Sequence, residues 1–151
     1  MDEYMSEPRV WGRICSCSVE EIPRARQWTR EILRDHPCLA DAELVVSELT
    51  TNALTHTDSG SHLGVFHISL TLSRAGVSIS VTDAGSITAP HRAGATAGAT
   101  RGRGLEIVTI LAHRLHVTGN AYGRTVTAEL ATPTLGEHED DHAPMTREAT
   151  R

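Results

Sequence analysis

The stretch ELVVSELTTNALTHT, residues 43–57, has the spacing of an amphipathic helix. Leu44, Val45, Leu49 and Ala53 recur at helical intervals and form its expected buried stripe, in a helix spanning residues 39–55. Glu48 and Asn52, four residues apart, fall together on a neighbouring stripe. A carboxylate and a carboxamide one turn apart present oxygens to the same side, next to the layer that the apolar stripe covers.

Working outward, the period changes. Upstream, residues 10–17 read as a strand, and SVEE after it places Glu21 where a capping box with Ser18 requires it. The helix so begun is expected to reach Asp35, to bury Ile22, Ala25, Trp28 and Ile32, and to stop before Pro37. Downstream, Phe66, Ile68, Leu70 and Leu72 alternate with polar residues, Arg74 to Gly76 turn the chain, and Val77, Ile79 and Val81 continue the alternation into Asp83. That is a hairpin. Residues 84–101 are Gly, Ala, Thr and Ser with Pro90, too long for a tight connection and too poor in large apolar groups to pack, so they are expected to form a lid. A short helix over residues 105–112, entered through Gly102 and Gly104, precedes a last hairpin of residues 116–118 and 124–130 across GNAYG.

Composition bounds what such a domain can do. The 151 residues suffice for one core, here expected over residues 9–132 with a flexible start, 1–8, and a disordered acidic tail, 133–151. His138 and His142 in that tail read as solvated. A net charge of -5 gives no reason to expect direct nucleic-acid contact or an anionic membrane. Without a leader pattern or a long apolar run, the cytoplasm is the expected location. Cys15, Cys17 and Cys38 form no CxxC pair and are expected to be reduced, inert thiols. All 14 cationic side chains are Arg, which closes every chemistry that needs a lysine amine, the phosphate-cradling P-loop included.

The polar residues still converge on one chemistry. Magnesium accepts few protein oxygens, so Asn52 alone suffices as its direct ligand, and Glu48 one turn earlier can take a proton from an attacking oxygen. Asp83 ends a strand beside Gly85, where a carboxylate can accept from an exocyclic amine and the glycine lets backbone approach a flat base. Gly102 and Gly104 at a helix start expose amides to phosphate, and Arg101 and Arg103 add charge. Each signal alone is commonplace, and glycines before a helix often only punctuate it. Their order within one domain reads as a site for ATP with Mg2+.

ELTTNALTH (48–56), VTDAG (81–85) and GRGLEIV (102–108) resemble the N box and the two glycine boxes of the GHKL ATPases. The resemblance covers about residues 9–130. It implies a two-layer α/β sandwich, the Bergerat fold, with a mixed, mostly antiparallel sheet and helices on one face. SELTTNA and the closing GRTVTAEL (123–130) are most similar to the anti-sigma factor serine/threonine kinases. On that resemblance Glu48 is the catalytic base, Asn52 the magnesium ligand and Asp83 the adenine-binding carboxylate. Gly85, Arg101, Gly102, Arg103, Gly104 and Leu105 line the nucleotide, and Thr125 is the strand hydroxyl that holds Asp83 and adenine. The implied partners are a sigma factor and an anti-anti-sigma antagonist, with a homodimer expected. Ile87 stands where the family's first glycine box has a second glycine.

Overall fold

Period-two alternation and three helical segments build eight elements. They run β1 (Arg9–Ser16), α1 (Glu21–Ile32), α2 (Leu39–His56), β2 (Val65–Leu72), β3 (Gly76–Asp83), α3 (Gly98–Leu111), β4 (Arg114–Asn120) and β5 (Gly123–Ala131). The computed structural model describes residues 7–56, 64–83, 98–120 and 123–133, and among these the side chains of all but 56, 98–103 and 120. Residues 84–97 of the expected lid, the first six residues and residues 134–151 lie outside that description. Residues 98–101, expected in the lid, are helical and belong to α3.

The strands form one sheet in the order β1-β2-β3-β5-β4, and every pairing among them is antiparallel. Side chains alternate across a sheet, so the register sorts them into two faces. Cys15, Phe66, Ile68, Leu70, Val77, Ile79, Val81, Val126, Ala128 and Leu130 share the buried face. The other face carries hydroxyls, paired across strands as Ser80–Thr127 and Thr82–Thr125, each at 2.8 Å. Helix α2 packs on β3 and β5 between α1 and α3. The result is the two-layer α/β sandwich.

On α2 the buried stripe is Ala42, Val45, Val46, Leu49 and Ala53. Leu44, expected inside, is 41% exposed. Spacing explains the shift: residues 42, 45, 46, 49 and 53 follow one helical row, and Leu44 sits beside it. Removing each of Val45, Val46 and Leu49 from water contributes about 1.5–3 kcal/mol.

At the β2–β3 turn, Ser73 N–H donates to the Gly76 carbonyl at 2.9 Å, and Gly76 adopts φ 152°. A Cβ there would fall 1.8 Å from the Leu130 carbonyl oxygen, so only glycine lets β5 close on β3.

Helix α1 starts differently from the expected capping box. Its N-cap residue is Glu20, with no side-chain cap. The Glu21 carboxylate instead turns to the strand, accepting from Arg13 Nη2 at 3.3 Å and Ser16 Oγ at 3.1 Å, and also accepts from Arg24 Nη1 of its own helix at 3.4 Å. A buried carboxylate gains more from a guanidinium and a hydroxyl than from one backbone amide. Ala25 is buried, with Trp28 and Ile32 partly so; Thr29 and Leu33 join the interior unforeseen. The helix ends at Ile32 with Leu33 as its C-cap, short of the expected Asp35, which lies in the following turn with a left-handed φ of 63° before Pro37.

Cys15, Cys17 and Cys38 are free, the first and last buried. Burial raises the Cys15 thiol above its ordinary value, with the Glu21 charge adding to the effect, and burial followed by the Asp41 charge raises Cys38. Among the described residues no helix is long and apolar enough to cross a membrane.

Candidate functional site

Helix α2 carries two kinds of polar residue. Thr50, Thr51 and Thr55 turn their hydroxyls back onto the helix, donating to the carbonyls of Val46, Ser47 and Thr51 at 2.6, 2.7 and 2.8 Å. Their hydrogen-bonding capacity is used locally. Glu48 and Asn52 differ: both are half-buried, and among the described residues neither side chain makes a hydrogen bond or ion pair. Neither is among the buried polar atoms left without a partner, so both reach solvent and can exchange water for a ligand. The two therefore form a pair of oxygen-bearing groups, one turn apart, open to a ligand.

Helix α3 closes one side of this pair. A Cβ on Gly104 would lie 2.8 Å from Glu48 Oε2 and 3.9 Å from its Cδ, so the carboxylate tip occupies the space that a side chain at this point of α3 would need. Gly102 and Gly104 were expected to open the helix, but α3 begins at Gly98 and both lie inside it. An α-helix pairs each N–H with the carbonyl four residues back, which places the unpaired amides of α3 at residues 98–100, about 6 Å upstream of the expected turn. Leu105 is half-buried and packs against the core, and Val108 one turn on is fully buried. Only the backbone is described for Arg101 and Arg103, and Gly85 lies outside the described residues.

The third component is Asp83, at the end of the central strand β3. It is 6% exposed and lies on the buried, helix-facing side. Its cross-strand neighbours are Phe66 on β2 and Arg124 on β5. Thr125, expected to hold Asp83, does not face it. Successive residues of a strand point to opposite faces, and Thr125 stands opposite Thr82 on the hydroxyl face. Arg124 takes the position beside Asp83 instead. Counting the alternation back from Leu130 through Ala128 and Val126 would have found it. Among the described residues no three His, Cys, Asp or Glu side chains gather as a metal cluster.

An antiparallel sheet, a helix bearing Glu48 and Asn52 against it, and a carboxylate ending its central strand give a specific combination. The histidine kinase-like ATPase domain family matches residues 16–130, most of the chain. The chain belongs to that family. This GHKL-type domain is also similar in structure to the RsbU and RsbW domains of Rv1364c from Mycobacterium tuberculosis, with 21% sequence identity and a TM-score of 0.62. The likeness covers 82% of this chain and 32% of that one, so the chain spans about a third of that structure's length. It bears on the fold alone. No curated protein matches the sequence.

Proposed function

We propose that this domain binds Mg-ATP between α2, the end of β3 and α3, and that it acts as an anti-sigma factor kinase, transferring the terminal phosphate to a Ser or Thr of an antagonist protein. The observation that carries the reading is the pair Glu48 and Asn52, half-buried and without hydrogen-bond or ion-pair partners among the described residues. Asn52 offers a carboxamide oxygen, a fitting ligand for a hard cation that keeps most of its waters. Asp83 offers a buried acceptor for an exocyclic amine of adenine. Mg-ATP supplies the electrophilic phosphorus and the charge neutralisation.

The chain's own residues do the rest. Glu48 accepts the proton of the attacking hydroxyl, and Gly104 leaves room for its carboxylate. Asn52 orients the cation-bearing end of the nucleotide from one turn further along α2.

The test is phosphate transfer from labelled ATP to a candidate antagonist bearing a Ser or Thr acceptor, for the natural sequence and for Glu48→Gln. Losing a general base lowers transfer by about 100-fold or more while ATP binding persists. ATP and partner binding with no transfer to any antagonist would replace the kinase with a nucleotide-dependent binding module.

A further inference from the structure

Gly104 has no conformational reason to be glycine. It lies within a right-handed helix, and the described glycines with positive φ are Gly76 and Gly119. Glycine inside a helix is less stable than alanine would be. What a side chain would meet there is the tip of Glu48, 2.8 Å from an ideal Cβ. No hydrogen bond or ion pair among the described residues holds that carboxylate, and its tip occupies the space that a side chain at this point of α3 would need. A carboxylate on a flexible stem has rotamer freedom to lose, and a base must be aimed before it can act.

We infer that Gly104 is the positioning residue for Glu48: the side-chain-free backbone of α3 seats the carboxylate and sets its direction. This rests on the reading of Glu48 as the base. It gives the second glycine of GRG a function distinct from donating an amide to phosphate, since that amide is already inside the helix. It also couples the nucleotide segment to the chemistry, because any movement of α3 moves the seat.

The variant Gly104→Ala separates the seat from the fold. Its Cβ would displace only the end of a flexible side chain, and alanine favours the helix. Thermal stability is therefore expected to stay level or rise. The Glu48 side-chain carboxyl 13C resonance shifts in the nucleotide-free protein, KM for ATP stays within about twofold, and kcat falls about 10- to 100-fold, the scale of a misaimed group. In a Glu48→Gln background Gly104→Ala adds no further loss, since residues acting through one contact are not additive. An unmoved resonance, or a raised KM with unchanged kcat, overturns the assignment. If the natural sequence transfers no phosphate, the kinase reading fails and the resonance alone still decides the seat.

Discussion

Asp83 of β3 and Arg124 of β5 are direct cross-strand partners on the helix-facing side of the sheet, while Thr82 and Thr125, one residue along on the same two strands, pair their hydroxyls on the other side at 2.8 Å. The two faces therefore give opposite expectations for neighbouring substitutions. Asp83→Asn weakens ATP binding by about 1–3 kcal/mol, the cost of a lost charged hydrogen bond. Thr125→Ala leaves it within about twofold. Calorimetric titration of both variants checks this, and a large loss in Thr125→Ala would return the strand hydroxyl to the site.

Glu21 links α1 to β1 and makes stability depend on acid. Burial pushes its carboxyl up, but hydrogen bonds from Arg13 and Ser16 and the charges of Arg13 and Arg24 outweigh that and hold it below the ordinary range. A carboxyl depressed by folding contributes stability above its unfolded value, about pH 4.3, and loses it as pH falls through the lower folded value. Glu21→Gln is expected to cost about 1–3 kcal/mol at pH 7 and to flatten the fall in thermal midpoint below about pH 4. Parallel acid limbs in the two proteins would contradict the network.

The two leucines of α2 separate stripe from surface. Leu49→Ala empties a fully buried position and is expected to cost about 2–5 kcal/mol. Leu44→Ala, at an exposed position, costs less than about 1 kcal/mol. Urea unfolding of each variant measures the difference, and equal losses would place Leu44 inside.

Both raised thiols predict slow chemistry. Cys15 and Cys38 are buried and held protonated near neutral pH, whereas Cys17 is half-exposed. Iodoacetamide is expected to modify Cys17 first in the folded protein, with the other two reacting only on unfolding. Early labelling of Cys38 would contradict the packing.

Element order and the alternating cores of β2 and β3 were legible because burial on one sheet face imposes a strict period, seen in Phe66, Ile68 and Leu70 against Val77, Ile79 and Val81. Local reasoning failed where a distant element decided the outcome. Ser18 and Glu21 have the spacing of a capping box, yet Arg13 and Ser16 on β1 claim the carboxylate. GRG reads as a helix start because glycines punctuate helices, but Gly104 lies within α3 beside Glu48, a contact across 56 residues that no local pattern contains. Leu44 and Val46 are equally apolar, and only the direction of the sheet tells which is inside. Glu48, Asn52 and Asp83 stand out by their order along the chain, and the fold sets them on α2 and β3, two elements that pack together. Thr125 was placed by resemblance, while the strand's own alternation pointed to Arg124.

The most direct test of the nucleotide site is a calorimetric titration of the protein with ATP, with and without Mg2+, alongside Asn52→Ala. The account predicts saturable binding that tightens with Mg2+ and a loss of about 1–3 kcal/mol in Asn52→Ala, most of it confined to the Mg2+ arm. No binding heat at millimolar Mg-ATP, or equal binding by Asn52→Ala in both arms, would contradict it.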